Sequence, residues 1–216
     1  MDDLRQQLTD NPQALVSFVT TEHFNLQTAR AIATSESNGR AGIFLSTVSG
    51  ALVALAFIAQ LSKGGTAFLA FGLVLFPALL FVGLATYDRV LQSSMEDLAL
   101  AQRINRIRRF YLEVTPDLRH YLAAPAASER LEDVIRTGSM RPGPWQLFLT
   151  MAGMIGVLNS VLVGVLVALL ASLPSGGDHP APAAVAGVVA FGLAVAAHQW
   201  HQYRRRNAEP SPFEDG

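Results

Sequence analysis

The chain has no cysteine, which excludes disulfides, thiolate catalysis and cysteine metal sites, and leaves the redox compartment unread. It has one lysine, Lys63, and four long stretches that hold no charged residue at all: 42–62, 66–87, 145–172 and 182–200. Charged residues make up only 15% of the 216, against about 25% in ordinary soluble domains. The missing charges have a chemical meaning as well. Ionisable groups inside apolar segments mark proton relays, ion pathways and voltage sensors, and here the apolar cores hold only Ser, Thr, Asn159 and Gln60, with His198 at the inner boundary. No P-loop, dinucleotide fingerprint, His-Glu-x-x-His or Gly-x-Ser-x-Gly motif is present. The first forty residues are polar and begin Met-Asp-Asp, unlike a cleavable signal peptide, and Asp2 stands where myristoylation needs glycine.

What is present is length. A helix crosses a bilayer with about 20 mostly apolar residues, and each uncharged stretch reaches or nearly reaches that. The chain reads as an all-α integral membrane protein, with four transmembrane helices in two hairpins and a cytoplasmic helical segment between them. The expected segments are a cytoplasmic N-terminal part (1–41), a first hairpin (42–87), a cytoplasmic helical region (88–144), a second hairpin (145–200) and a disordered cytoplasmic tail (201–216). Orientation follows from the placement of arginine. Arg40, Arg89, Arg141 and the Arg204-Arg205-Arg206 cluster lie within a few residues of helix ends, where the positive-inside bias acts most strongly. Both termini are therefore expected on the cytoplasmic face of the plasma (inner) membrane. Trp145 and Trp200 fall at the same boundary, where aromatic belts form.

Local signals fill in this frame. Thr20 or Thr21 reads as the cap of a helix through Glu22 to Ser35, with Asn38-Gly39 punctuating the chain before the bilayer. In the first membrane helix Ser46, Gly50 and Ala54 recur every four residues, a face that lets another helix approach closely, within the chain or between chains. Residues 62–65 form a hairpin turn, and Pro77 removes one backbone donor from the second helix and bends it. Beyond the bilayer, Leu100, Ile104, Ile107, Tyr111 and Val114 form one apolar stripe of a helix that continues the second span. Pro116 ends it, a further helix reads from Ser128 to Arg136, and Gly138, Pro142, Gly143 and Pro144 break the chain before re-entry.

Arg103, Arg106, Arg108 and Arg109 decorate the other faces of that central helix. They read as a solvated anchor partly paired with Glu96, Asp97, Glu113 and Asp117. They also fit anionic lipid headgroups, at about 1 kcal/mol per basic residue, or an acidic protein or phosphorylated ligand. In the third span Gly153, Gly156 and Asn159 read as packing positions, with Asn159 near mid-membrane, where its amide needs an interhelical partner. The i, i+3 pair His198 and His201 is compatible with metal ligation but lacks a third ligand nearby. No cofactor and no nucleic acid is expected.

Two stretches carry a resemblance. Thr21–Arg30, leading to Ser37-Asn38-Gly39-Arg40, and Arg89–Leu98, leading to Arg103-Ile104-Asn105-Arg106-Ile107-Arg108, resemble small four-pass membrane proteins of high-GC actinobacteria. That resemblance spans most of the chain and implies a membrane location without an activity. The layout of hairpin, long cytoplasmic helix and hairpin also loosely resembles the small membrane effector domains of bacterial nucleotide-signalled defence systems, which implies oligomerisation and membrane breach.

Three functions follow as expectations. The first is a non-enzymatic membrane protein that associates with copies of itself, an effector or pore former with an arginine-rich cytoplasmic surface. The second is a channel or transporter for a neutral solute, using Asn159, Ser46 and Ser49 as pore contacts. The third is a lipid-acting enzyme whose chemistry gathers from Glu22, His23, Glu36, His120 and Glu132 without a linear signature.

Overall fold

The computed structural model describes residues 12–114, 117, 120, 146–175 and 180–208. Its elements are α1 (Pro12–Ser62), α2 (Thr66–Val114), the short α3 (Gln146–Leu149), α4 (Met151–Ser172), a 3-10 turn (Leu173–Ser175) and α5 (Pro180–Ala208). No strand occurs among the described residues. Four helices, α1, α2, α4 and α5, are long and apolar enough to cross a membrane.

Several boundaries differ from the expected ones, each for a local reason. α1 opens on Pro12, a residue suited to a first helical position because its missing N–H would be unpaired there anyway. Thr21 caps nothing; its hydroxyl donates to the Ser17 carbonyl at 2.8 Å inside the helix. Asn38 and Gly39 do not interrupt α1. A mid-helix glycine costs only about 1 kcal/mol, and the flanking Glu36–Arg40 pair at 2.8 Å and the buried Ser37, Ala41 and Phe44 hold the helix through it. The second span continues outward as expected, and α2 stops at Val114, two residues before Pro116, which disfavours helical backbone in its predecessor. α5 runs to Ala208, well into the part expected to be a disordered tail from 201. The expected helix Ser128–Arg136, the breaks at Gly138 to Pro144 and the Trp145 anchor lie outside the described residues.

The turn between α1 and α2 is a Schellman motif. Lys63 takes φ 48° and Gly64 φ 73°, while the Gly64 amide donates to the Ala59 carbonyl at 3.0 Å and the Lys63 amide to Gln60 at 3.5 Å. These bonds satisfy carbonyls that the helix end would otherwise leave open. Glycine carries its left-handed backbone at no steric cost, whereas Lys63 pays for it.

Two compact units divide the chain between Ser35 and Glu36 and between Ser93 and Ser94. In the described part of the first, residues 12–35 of α1 pair antiparallel with 94–114 of α2. Leu26 and Ala33 are buried on one helix, Met95, Ala101 and Ile104 on the other. Arg30 grips Asp97 with two hydrogen bonds, 2.7 and 3.2 Å. The pair is partly exposed, so its contribution is about 1 kcal/mol at most. From the expected stripe Ile104 is buried, and Leu100, Ile107 and Tyr111 are half-buried.

The second unit contains residues 36–93 and the described residues from 146 to 208. Ala41, Phe44 and Val48 of α1, Phe76, Leu79, Tyr87 and Val90 of α2, and Ala152, Ile155 and Leu162 of α4 form one apolar core. α4 and α5 cross with backbones nearly touching: a Cβ on Gly187 would stand 2.7 Å from the Gly164 carbonyl, and one on Gly164 2.9 Å from that of Gly187. The apolar windows of the four spanning helices are only 17%, 22%, 33% and 11% buried by the chain itself. Their remaining surface needs hydrocarbon or another protein.

His23 provides a test of the first unit. Its Nδ1 is buried without a hydrogen-bond partner among the described residues, and burial, followed by the positive charge of Arg108, lowers its pKa from 6.5. Above that value both folded and unfolded chains hold a neutral ring, so the group is silent. As pH falls below 6.5 the unfolded chain takes the proton first, and the helix pair loses stability. Denaturation of the 12–35/94–114 pair, followed by ellipticity, is expected to become easier from about pH 7 to about pH 5. His23→Gln is expected to flatten the part of that dependence due to the ring.

Candidate functional site

The second unit concentrates unusual polar groups near one end, the end that carries Arg40, Arg89 and Arg204. Electrostatics fix that end. Glu36 accepts from Arg40 at 2.8 Å and lies 3.4 Å from Arg89, and Arg205 stands 3.9 Å from Asp88. The hydrogen bond from Arg40 lowers the Glu36 pKa most, with Arg89 adding to it.

Inside this ring of charge, α4 begins with a break. Thr150 takes extended backbone (φ −72°, ψ 154°) and separates α3 from α4. Its hydroxyl accepts from the Gly153 amide at 3.0 Å, an N-cap. Gln202 of α5 reaches across to donate to the same oxygen at 2.8 Å. The third span, expected as one run from 145, is therefore discontinuous, because a threonine can satisfy the amides that a new helix start exposes. Gln202 is only 2% exposed, and its Oε1 has no partner among the described residues.

One turn further in, Tyr87 of α2 is buried and donates to the backbone carbonyl of His198 at 2.8 Å. The two rings meet edge to face, with centroids 4.9 Å apart. Gly156 makes room for both; a Cβ there would stand 3.2 Å from Tyr87 Cε2 and from His198 Cβ. The His198 Nδ1 lies 2.8 Å from the Ala194 carbonyl, which can only accept, so this nitrogen is assigned the proton. Ser160, fully buried, donates to the Gly156 carbonyl at 2.7 Å and places its oxygen 3.4 Å from the same ring nitrogen.

The innermost layer is Asn159. It is 0% exposed, and neither its Oδ1 nor its Nδ2 has a hydrogen-bond partner among the described residues. The amide points at Gly83 of α2, where a Cβ would collide with Asn159 Oδ1 and stand 2.7 Å from Phe44 Cζ of α1. Asn159 is the ninth residue of α4, about 12 Å along it, and Gly83 precedes Arg89 by six residues, about 9 Å. The expected interhelical partner is absent among the described residues. An unmet amide in an apolar interior costs on the order of 1–3 kcal/mol.

The other sequence-derived positions scatter. Gly153 and Gly156 join Asn159 on the buried side of α4. Ser46 and Gly50 face away from the unit, with open space around Gly50, and Ala54 is half-buried. Ser49 is exposed and bonds its own helix at Leu45, so Ser46 and Ser49 do not meet Asn159. In the first unit Arg103, Arg106 and Arg109 form one exposed ridge, while Arg108 is half-buried on another side, near His23. Arg109 bonds Glu113 at 3.3 Å. His23 is half-buried, His120 is exposed, and Glu132 lies outside the described residues. No group of three metal-ligating side chains occurs among the described residues. Tyr87, Thr150 and Gln202 were not singled out from sequence as site residues. A tyrosine and a glutamine at the edges of apolar runs were the available signal.

No protein-family model, curated protein or solved structure matches this chain.

The Asn159–Gly83 contact predicts opposite effects from two substitutions. Asn159→Leu replaces the unmet amide with an apolar group of the same branched shape and is expected to raise the melting midpoint in detergent. Gly83→Ala forces a methyl group into the amide and is expected to lower it, at a cost of about 1–3 kcal/mol.

Proposed function

We propose that this chain is a non-enzymatic, multi-pass plasma-membrane protein with cytoplasmic termini that works by assembling with copies of itself, as a membrane effector or pore former. One observation carries the reading. In the second unit Gly39, Ile43, Ser46 and Gly50 fall on one uncharged face of α1, and all are exposed. A Cβ on Gly39 or Gly50 would meet nothing within 4 Å, so the face is free for close helix approach. Lipid can cover the part within 42–62. The first unit, taken by itself, also exposes the apolar side chains Phe24 (66% exposed) and Ile32 (60% exposed), which precede that stretch in the sequence. The α1 face of a second copy offers matching apolar knobs and small-residue gaps along the same length.

The arginine ridge of Arg103, Arg106 and Arg109 suits an anionic lipid or an acidic trigger that would control assembly. The loose resemblance in layout to defence-associated membrane effectors points the same way.

The protein in native-like lipid particles is expected to show a discrete oligomeric mass. Ile32→Glu should shift it to monomer, while Val188→Leu on the exposed side of α5 should leave it unchanged. Monomers alone, with no ion or dye flux from proteoliposomes with or without bacterial cytosolic extract, would sink the proposal.

A further inference from the structure

The polar layers of the second unit form a track. Thr150 and Gln202 sit at the charged end, Tyr87 and His198 one layer in, Ser160 beside that ring, and Asn159 at the innermost point. Buried polar atoms in folded proteins are almost always paired, with protein, water or ligand. In an apolar segment the penalty for leaving them unpaired is greatest, because no solvent is at hand. Yet among the described residues Asn159 finds no partner for either amide atom, nor Gln202 for its Oε1, at 0% and 2% exposure. Gly83 and Gly156, where side chains would collide with Asn159 and with the Tyr87–His198 pair, keep space for these groups.

We infer that this track is a binding site for a small uncharged hydrogen-bonding molecule of the amide class, reached from the arginine-bearing end and closed in this structure by Tyr87. The chemistry selects the class. An amide side chain offers two donors and two acceptor lone pairs, matching a ligand that also has both. His198 holds its Nδ1 against the Ala194 carbonyl and the Ser160 hydroxyl, at 2.8 and 3.4 Å. No Asp, Glu, Lys or Arg belongs to the layers from Thr150 inward, so an ion would find no countercharge. Tyr87, on α2 one turn from Gly83, donates to the His198 carbonyl, the hydrogen bond that a molecule entering from the arginine-bearing end would have to displace.

The cysteine-free chain permits a direct test, since any introduced thiol is the only one. Single-cysteine variants Asn159→Cys and Ser160→Cys report the site. Arg204→Cys marks the arginine-bearing face, and Met154→Cys, on the exposed side of α4, is the apolar control. Each is exposed in membrane vesicles of both orientations to an uncharged methanethiosulfonate whose polar sugar group keeps it from crossing the bilayer. The thiolate is the reacting form and apolar surroundings suppress it, so the two site cysteines are expected to react roughly tenfold or more faster than Met154→Cys. They should react only from the face that labels Arg204→Cys. Acetamide at high concentration should slow labelling of Ser160→Cys several-fold, and Asn159→Leu in that background should abolish the protection.

Labelling no faster than at Met154→Cys, from the opposite face, or from both faces overturns the inference. So does labelling that acetamide leaves unchanged. Since Asn159→Cys removes the amide itself, Ser160→Cys carries the test alone if that variant fails to fold.

Discussion

Backbone amides and carbonyls cannot be left open in hydrocarbon, and helices are the simplest segments that satisfy their own. That constraint accounts for most of what is seen here. α1, α2, α4 and α5 carry their apolar windows with little cover from one another, so self-contained hydrogen bonding must hold each helix before packing does. Where the regular ladder stops, substitutes are supplied locally. The Schellman bonds of Lys63 and Gly64 close the end of α1, and the Thr150 hydroxyl caps the start of α4. Against such thorough accounting of the backbone, the unmet side-chain amide of Asn159 stands out.

The two units hold together by different chemistry. In the first, a modest apolar seam through Leu26, Ala33, Ala101 and Ile104 is supplemented by the Arg30–Asp97 clamp and carries a half-buried histidine beside Arg108. In the second, close backbone approach at Gly164 and Gly187 and the core around Phe44, Leu79 and Val90 do the work. Partial exposure keeps the ion pairs weak and open to water. The glycine crossing is independent of salt and pH.

Much of this was legible in the sequence. Among the described residues, the uncharged runs located the four helices long and apolar enough to cross a membrane, because transfer of charge into an apolar phase is so unfavourable that its absence is a clear signal. The continuation of α2 to the neighbourhood of Pro116 was readable from the spacing of Leu100, Ile104 and Ile107. The continuity of α1 through Asn38-Gly39 was not, since local propensity favours a break there and only the Ser37, Ala41 and Phe44 packing overrides it. The polar site was half visible: Asn159 and Gly156 were marked by type, but their relation to Gly83, Tyr87 and Gln202 is tertiary. Nothing in a linear pattern states that a glycine on one helix faces an amide on another.

The backbone crossing of α4 and α5 has a consequence for how this chain can diverge. Outward positions such as Val185, Val188 and Leu193 are largely exposed and ask only for apolar character, so mutations among them are close to neutral and will accumulate. Gly164 and Gly187 admit no side chain without moving a helix. Two descendants of a common ancestor could therefore lose nearly all recognisable identity along α5 while keeping the same crossing. Kinship in such a lineage would be easier to detect from the spacing of its few small residues than from overall similarity.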